Sequence, residues 1–415
     1  MFDEGFPVLM TSNTVAHCAT PYLQANNIWI YAQLTHLTRY RPIVLTQERL
    51  NAEEFAAAPV YSAELFTPLK RLANRLSRRL TGMYAFYPEI LEREGARLLH
   101  AHFGHQGCRC LRTRRATGLP MVTSFYGYDA SRDQADPRWR RIYRELFAEG
   151  DCFLAEGGAM ARRLEEVGCP QTKVRVHHLG VCLDEIKFKP RAPDEGRIRF
   201  LICAHFREKK GIPYALQALA RARAMKGFSC ELVLVGDGPE KGNIERLLHE
   251  SSLAEITSMR GSLSYPEVLG EISRCHLLMQ TSVTARDGDS EGGAPVILLD
   301  AQAAGMPVIA TRHADIPEYV RDEQSGLLAP EKDVEALAGC IIRLVDNPDR
   351  WSEMGKAGRR HIAEQYNAET QGVRLESIYD ELLRTAPAAR NSDAVHRPPR
   401  AHGPGSSDNS ASILL

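Results

Sequence analysis

The 415-residue sequence contains no uninterrupted apolar run close to the roughly 20 residues that a membrane-spanning helix needs. It also has no excess of either charge, because 52 Lys and Arg residues balance 52 Asp and Glu residues. The first absence predicts no membrane-spanning helix. The second argues against wholesale nucleic-acid binding, so an anionic partner must meet a local cationic patch. The acidic start, MFDEGFPVLM, does not resemble a signal peptide, and the expected location is the cytoplasm.

Cys-x-x-Cys pairs are missing as well. The ten cysteines are scattered, and several of them, such as Cys18, Cys152 and Cys275, lie within apolar runs. This usage is typical of reduced and buried side chains in a cytosolic protein. The sequence therefore predicts neither disulfides nor a cysteine metal site.

Short apolar runs alternate with helical patterns in both halves, which is typical of βαβ units and parallel sheets. A chain of this length usually forms two or three domains. We predict an α/β protein with two domains, and with strands at residues 7–10, 42–46, 97–103, 120–125 and 152–155, then at 197–205, 230–236, 275–281 and 307–311.

The segment 187–197 is charged and contains two prolines and a glycine, so it is the best candidate for the linker. We place the first domain at residues 1–190 and the second at 191–367. Residues 368–385 carry a helical apolar pattern. The final 386–415 stretch is rich in Pro, Gly, Ser and Ala without a periodic apolar face, and we expect it to be disordered.

The stretch EGGAPVILLDAQAAGMPVIAT, residues 291–311, follows a predicted strand and contains a helix that we expect to run from Pro295 to Ala304. Loops at the carboxyl ends of parallel strands bind ligands. Glycines let the backbone approach a phosphate, and carboxylates accept hydrogen bonds from hydroxyls. A ligand with both groups is a nucleotide sugar. An acidic surface loop capped by a helix is the alternative.

Further segments strengthen the nucleotide-sugar interpretation, namely FREKKGIPYALQALARA (206–222), LVGDGPE (234–240), RGSLSYPEVLGEI (260–272), SGLLAP (325–330), LLHAHFG (98–104) and TSFYGYDAS (123–131). Their order resembles that in family 4 glycosyltransferases, and the first-half segments resemble those of members that build bacterial exopolysaccharides. The resemblance implies two Rossmann-like domains of the GT-B fold, with the C-terminal helix crossing back to the first domain. It also implies retaining transfer from a nucleoside-diphosphate sugar to a hydroxyl of a glycan or lipid-linked glycan.

The same resemblance assigns roles on the donor side. Lys210 matches the family lysine that contacts the diphosphate, whereas His205 stands where the family has an arginine, so we expect Arg207 to supply the missing charge. Glu291 is expected on the donor sugar and Asp300 on the ribose. These acids are separated by eight residues instead of the family's seven, and we expect the extra residue to be absorbed in the glycine loop.

Backbone contacts to the donor are expected from two glycine loops. The first is the turn that follows the strand at 230–236, and the second is the loop that follows Glu291. The expected donor-binding positions are Gly236, Gly238, Gly292, Gly293 and Ala294.

The acceptor side departs from the family, because Tyr126 replaces the histidine of the usual Phe-His-Gly segment. Tyrosine still donates and accepts a hydrogen bond but stays neutral. The expected acceptor-side residues are Asp129, His102, Asn27 and Trp29. His100 and His102 point to one strand face, either as an ordinary hydrogen-bonded pair or toward the site, and no third ligand is spaced with them for zinc.

A DxD motif at Asp287-Gly288-Asp289 is interpreted as a tight turn, because lysine and arginine can supply the positive charge. We expect no required metal and no cofactor.

Residues 69–80, LKRLANRLSRRL, place four leucines on one helical face and basic residues around it. Either the leucines pack on the core, or the helix lies on the inner face of an anionic membrane.

Two other functions remain open at this stage. A nucleotide-sugar epimerase shares the architecture, and the departures at Tyr126 and His205 are compatible with a non-catalytic nucleotide-sugar-binding subunit.

Overall fold

The computed structural model describes residues 13–23, 28–52, 58–194 and 196–385. The predicted strand at 7–10, the acceptor candidate Asn27 and the predicted disorder of 386–415 lie outside these residues. All ten cysteines lie within them, and all are free thiols, as the sequence predicted.

The first domain contains a seven-stranded parallel sheet in the order β3-β2-β1-β4-β5-β6-β7. All of its neighbouring strands pair in parallel. The strands are β1 Asn13–Cys18, β2 Tyr40–Thr46, β3 Val60–Ser62, β4 Ala96–His102, β5 Met121–Ser124, β6 Cys152–Ala155 and β7 Val174–Val176.

The second domain contains a six-stranded parallel sheet in the order β10-β9-β8-β11-β12-β13. Its strands are β8 Ile198–Cys203, β9 Cys230–Val235, β10 Thr257–Met259, β11 Leu277–Gln280, β12 Val308–Thr311 and β13 Gly326–Ala329. The predicted α/β architecture with two Rossmann-like domains is confirmed. The sequence prediction omitted β1, β3, β7, β10 and β13.

Helices alternate with the strands and cover both sheets. Those of the first domain are α1 Ile28–Thr35, α2 Pro68–Thr81, α3 Tyr87–Arg93, α4 Gly104–Thr117, α5 Arg132–Ala135, α6 Pro137–Glu149 and α7 Gly158–Glu166. The remaining helices are α8 Ile212–Lys226, α9 Lys241–Glu250, α10 Tyr265–Arg274, α11 Ile297–Ala303, α12 Ile316–Tyr319, α13 Val334–Val345, α14 Arg350–Gln365 and α15 Ala368–Thr385.

The last helix, α15, returns to the first domain as expected. Leu375 and Tyr379 are fully buried in a cluster with residues of the first sheet, such as Leu98. The Glu376 carboxylate accepts the backbone N–H of Arg39 at 2.6 Å and the guanidinium Nε of the same residue at 2.9 Å. Apolar burial and a charged hydrogen bond therefore attach the end of the chain to the first sheet.

Helix α11 begins two residues later than predicted. The amides of Leu298 and Leu299 donate to the carbonyls of Pro295 and Val296 at 2.9 and 2.8 Å, which is the i→i+3 pattern of a 3₁₀ turn. Pro295 therefore stands in an entry turn, and the α-helix starts at Ile297.

Helix α2 extends one residue beyond the predicted stretch 69–80 at each end, and it contradicts one of the two interpretations of that stretch. Thr67 caps its start and Gly82, with a φ of 71°, ends it. The leucines do not pack on the core, since Leu69 and Leu80 are 77% and 74% exposed.

Candidate functional site

A cleft lies between the two sheets at the edge where each strand order reverses. The reversal falls between β1 and β4 in one sheet and between β8 and β11 in the other. Open parallel sheets bind ligands at such points. The loops after these strands surround a cavity of about 620 Å³, and the residues that line it include Phe103, His105, Tyr128 and Arg132 from the first domain and His205, Arg207, Lys209, Lys210 and Asp289 from the second.

The turn that presents Lys210 is fixed by its glycine neighbour. Gly211 has a φ of 61°, and a Cβ there would collide with the carbonyl oxygen of Thr281, so this position requires glycine. The Thr281 hydroxyl donates to the Gly211 carbonyl at 2.9 Å, and the Val283 amide donates to the Lys209 carbonyl at 2.8 Å. These bonds attach the lysine turn to the loop after β11.

Lys210 and Glu291 form a buried ion pair, with 2.7 Å between Nζ and Oε1. The Ser282 hydroxyl donates to the same oxygen at 2.8 Å. Burial opposes ionisation of the carboxyl group, but Lys210 and Lys209 outweigh it and lower the pKa of Glu291 to about 2. Glu291 is therefore a permanent carboxylate at neutral pH and can accept hydrogen bonds from hydroxyls.

His313 supports the loop from behind. Its Nε2 accepts the backbone N–H of Glu291 at 3.1 Å and lies 3.1 Å from the hydroxyl oxygen of Ser290. Nδ1 therefore carries the ring proton and donates it to Glu331 at 2.6 Å. Sequence reasoning missed His313, because it follows a different strand and carries no motif.

Positive charge is concentrated on one wall of the cavity. Lys209 Nζ lies 3.1 Å from Asp289 Oδ1, and these two residues form a second ion pair beside Lys210. Arg207 and His205 are exposed to the cavity, and Arg207 forms no ion pair with any acid in the described part of the chain. The Arg207 guanidinium is therefore exposed to the cavity, and its role as a substitute for the family arginine stays a prediction.

The predicted DxD motif is a tight turn. The Gly288 amide donates to the Ala285 carbonyl at 3.0 Å, and the Asp289 amide donates to the Asp287 carboxylate at 2.9 Å. Asp289 then faces Lys209, so the second acid of the motif is paired with a cation.

Gly236 and Gly238 support the cationic loop instead of lining the cavity. A Cβ at Gly236 would collide with the Ala204 carbonyl, and one at Gly238 would lie 2.6 Å from the Phe206 carbonyl. The Phe206 amide donates to the Asp237 carbonyl at 2.9 Å. Their small size lets the loop that carries His205 and Arg207 pack directly on the turn after β9.

The loop after Glu291 contacts the first domain. A Cβ at Gly292 would collide with backbone atoms of Gly127, and one at Gly293 would collide with the Glu156 carboxylate. Gly292, Gly293 and Ala294 are all buried. The amides of Gly292 and Gly293 are therefore covered by the first domain in this arrangement, whereas Ala294 is buried among residues of its own domain, such as Leu298.

Glu156 is a buried acid at this domain contact that sequence reasoning missed. Its carboxylate accepts the Gly293 amide, and burial, with Asp315 and Asp129 nearby, raises its pKa well above the usual range. Asp315 in turn accepts the Ala159 amide at the start of α7 at 2.5 Å. Hydrogen bonds in both directions therefore join the two domains beside the cleft.

Asp300 lies within α11 and away from the described cavity lining. It is 3% exposed, and the Tyr265 hydroxyl donates to it at 3.1 Å. Burial raises the pKa of Asp300 to about 7 despite that hydrogen bond. Both Asp300 and Lys210 act electrostatically on the thiol of Cys203 at the end of β8, so both lie near that strand end.

The opposite wall of the cavity is aromatic. The Phe103 ring stacks on His105 and Tyr128 at centroid distances of 5.5 and 5.7 Å. Phe103 itself has a φ of 74°, a conformation that costs a bulky residue about 1–3 kcal/mol and is found mainly at functional sites. Arg132 lies over the Tyr128 ring at 5.7 Å. This wall was missed, although HFGH and GYDAS contain its rings.

Tyr126 and Trp29 lie together behind this wall. Their ring centroids are 6.0 Å apart, and the Tyr126 hydroxyl is 2.6 Å from His102 Nδ1. Burial raises the pKa of Tyr126 well above its usual range, so the phenol stays neutral. Trp29 lines a separate pocket of about 120 Å³ together with Tyr265.

His100 and His102 form part of a buried cluster. His17 Nδ1 lies 3.0 Å from His102 Nε2, and His100 contacts the hydroxyls of Tyr379 and Ser124 at 2.6 and 2.7 Å. Sequence spacing indicated no third ligand, but the structure brings one ring nitrogen each of His17, His100 and His102 within 4.8 Å of one another. These hydrogen bonds make the two histidines a satisfied pair, and His102 does not reach the cavity.

Asp129 holds the loop after β5 in place. Its carboxylate accepts the amides of Gly104, Tyr126 and Gly127 at 2.8, 3.1 and 2.9 Å. The side chain is fully buried. Asp129 therefore positions the loops after β4 and β5, and it does not line the cavity.

Two Rossmann-like domains that face each other across a cationic cleft, with the last helix crossing back, define the GT-B architecture of sugar-transferring enzymes. The chain belongs to the group 1 and family 4 glycosyltransferases. The family "Glycosyl transferases group 1" matches residues 184–361, and "Glycosyltransferase Family 4" matches residues 32–185.

Relatives and solved structures agree with this assignment. The chain is 30% identical to a putative colanic acid biosynthesis glycosyltransferase, WcaL, of Salmonella typhimurium, over 68% of this chain and 70% of the relative. It is 29% identical to the amylovoran biosynthesis glycosyltransferase AmsK of Erwinia amylovora, over 68% and 69% of the two chains. The crystal structure of Anabaena HepE with UDP and glucose matches the fold with a TM-score of 0.70 at 14% identity, over 89% of this chain and all of HepE.

Proposed function

We propose that this glycosyltransferase moves a sugar from a nucleoside diphosphate to a hydroxyl of a glycan or lipid-linked glycan, with retention at the anomeric carbon. The observation that carries the proposal is the cleft at the two points of strand reversal. It places Arg207, Lys209 and Lys210 on one wall and an aromatic surface on the other. This arrangement supports our proposal that a diphosphate binds the cationic wall and that an acceptor binds opposite it.

The cations address the hardest part of the reaction, which is the charge that develops on the departing diphosphate. Lys210 is held by its turn, and Arg207 is free to form two parallel hydrogen bonds with phosphate oxygens. Because Lys210 is paired with Glu291, an incoming diphosphate competes with that carboxylate for the ammonium group. Glu291 is then released to accept hydroxyls of the donor sugar.

Asp300 is proposed to accept the ribose hydroxyls. This role requires Tyr265 to share or yield its hydrogen bond, since its hydroxyl occupies one carboxylate oxygen at 3.1 Å. The amides of Gly292 and Gly293 become available for phosphate only when the domain contact opens, so we propose that donor entry accompanies domain separation.

The acceptor is proposed to lie on the aromatic wall formed by Phe103, His105 and Tyr128. Rigid rings offer flat apolar surface to the faces of a sugar ring. The named roles of WcaL and AmsK in colanic acid and amylovoran biosynthesis support an acceptor from surface polysaccharide assembly.

A panel of UDP-, GDP- and ADP-sugars tests the donor assignment by thermal shift, because a bound ligand stabilises the folded state by mass action. We expect one base to raise Tm in the wild type and to have a much smaller effect in Lys210→Met. No stabilisation by any sugar nucleotide would contradict the proposal.

The reaction is then tested by NMR of the product with the donor that binds. An α-linked product from an α-linked donor supports retention, and inversion contradicts it. A changed nucleotide sugar formed without acceptor would identify an epimerase, and donor binding without transfer to a broad acceptor panel would identify a non-catalytic subunit. Because lysine and arginine provide the positive charge, we further propose that no metal or cofactor is required, and that activity persists in excess EDTA.

A further inference from the structure

The outer surface of α2, together with the 3₁₀ turn at Ala63–Leu65 that precedes it, carries a row of exposed leucines, here named the leucine face. It consists of Leu65, Leu69, Leu72, Leu76 and Leu80, which are 71%, 77%, 59%, 54% and 74% exposed. A surface helix normally buries its apolar stripe against its own domain. This helix does the reverse, and a contiguous exposed apolar surface of this kind marks an interaction site.

Polar residues hold α2 in this orientation. Asn74 is 5% exposed, its amide nitrogen donates to Gln47 at 2.7 Å, and its carbonyl oxygen accepts the Ala85 amide at 3.1 Å. The Ser77 hydroxyl donates to the Met83 carbonyl at 3.0 Å. A rotation that buried the leucines would break these bonds. The outward direction of the leucine face is therefore built into the domain.

Basic residues surround the leucine face. They are Lys70, Arg71, Arg75, Arg78 and Arg79, all exposed, and none forms an ion pair with an acid within the described ranges. The positive surface continues onto α4, where the Arg112 side chain lies beside Gly82. Arg109 of the same helix acts electrostatically on His105, which lines the cleft. Arginines of α4 thus lie both beside the end of α2 and beside His105 at the cleft.

We propose that the leucine face docks on an anionic lipid bilayer. Leucines that enter the boundary between headgroups and acyl chains, with lysine and arginine at the headgroup level, are the chemistry of a helix that lies in a membrane surface. A second copy of this chain fits less well, because a two-fold pair of α2 helices would bring the same five cations against each other. The docking goes beyond the proposed function and does not depend on the donor or the reaction.

Co-sedimentation of the full chain with vesicles tests the docking. One set contains phosphatidylcholine alone, and the other contains phosphatidylcholine mixed with phosphatidylglycerol. We expect binding to the anionic vesicles, and weakening by salt because the basic residues are exposed. Each basic residue near such a surface contributes roughly fivefold, so Arg75→Gln combined with Arg78→Gln and Arg79→Gln should weaken binding by about a hundredfold.

The apolar contribution is tested by Leu69→Ser combined with Leu72→Ser and Leu76→Ser, which should abolish sedimentation with the vesicles. The matched control replaces exposed apolar residues elsewhere, Met225→Ser with Val373→Ser, and should bind as the wild type does. A Leu72→Trp variant gives a second measurement on a folded protein: its fluorescence should shift to the blue with anionic vesicles, while that of Met225→Trp should not.

Three results would overturn the docking. The first is equal sedimentation with both vesicle types, and the second is full binding by the triple leucine variant. The third is a wild-type dimer in sedimentation equilibrium that the leucine variant abolishes, without vesicle binding, which would make the leucine face a contact between copies. Because vesicle binding needs no sugar nucleotide, these results are separate from any failure of the proposed transfer.

Discussion

The ion pair between Lys210 and Glu291 gives the sharpest test of the site, because its strength follows from the structure. Nζ and Oε1 are 2.7 Å apart, and the side chains are 15% and 8% exposed. Ser282 adds a hydrogen bond to the same carboxylate oxygen. Glu291→Gln removes the negative charge and Lys210→Met removes the positive one, and each leaves the other partner without its closest opposite charge.

The magnitude follows from the pKa of Glu291. Burial alone would raise that pKa, yet Lys210 and Lys209 bring it from 4.5 to about 2. One pKa unit corresponds to about 1.4 kcal/mol, so the surroundings favour the ionised carboxylate by about 3 kcal/mol. Removing one partner of a buried pair costs about 3–5 kcal/mol, which agrees with this value.

A double-mutant cycle measures the interaction. The free energy of unfolding in urea is determined for the wild type, the two single variants and the double variant. Trp351 reports on the second domain, because it is fully buried in that domain's core. We expect each single variant to lose about 3 kcal/mol and the double variant to lose much less than the sum, with a coupling of about 2–3 kcal/mol.

A pH series gives an independent measurement. A carboxyl whose folded-state pKa is depressed stabilises the fold above its unfolded pKa and loses that contribution as the pH falls through the folded value. The wild type should therefore lose about 3 kcal/mol relative to Glu291→Gln between pH 4.5 and about pH 2. Additive single variants, or parallel pH curves for the wild type and Glu291→Gln, would refute the buried ion pair.

Three further predictions concern the domain contact, the aromatic wall and Asp300. Gly292→Ala should lower kcat/KM by roughly a hundredfold, because its Cβ collides with the backbone of Gly127, whereas Gly339→Ala, with open space, should not. Tyr128→Ala should raise the KM for the acceptor about tenfold and leave the Tm increase produced by the donor unchanged. A smaller Tm increase in the variant would instead indicate that Tyr128 contacts the donor. Asp300→Asn should raise the free energy of unfolding by roughly 2–4 kcal/mol more at pH 8 than at pH 5, because an acid with a raised pKa destabilises the fold as it ionises; equal effects at both pH values would contradict that raised pKa.

The sequence predicted the features that depend on local patterns. Both faces of a parallel sheet are covered by helices, so its strands are continuous apolar runs in the sequence. The strand β9 was recognised in this way. The motif around Lys210 and Glu291 is local too, and the structure brings these two residues together at 2.7 Å. The short edge strands β3, β7 and β10 were missed because three residues give no recognisable periodicity.

The features that were missed depend on contacts between distant segments. His17 belongs to a strand, NTVAHC, whose polar residues hide its buried position, and only the pairing with β4 brings it beside His100. Asp129 was expected on the acceptor, but the amides that surround it come from two separate loops. Glu156 gains its role only when the second domain places Gly293 against it.

The extra residue between the two acids, Glu291 and Asp300, can be located from the structure, and it lies in the loop that contacts the first domain. Eight residues separate Glu291 from Asp300, and the 3₁₀ entry turn and α11 fix the chain from Pro295 onward. An extra residue inside the helix would rotate Asp300 by about 100° around the helix axis. The extra residue must therefore lie upstream of Pro295. There the glycine pair packs on Gly127 and Glu156, where any side chain would collide. The loop that carries Glu291 is therefore also the domain contact, and its glycines are required by the first domain whether or not they touch a phosphate.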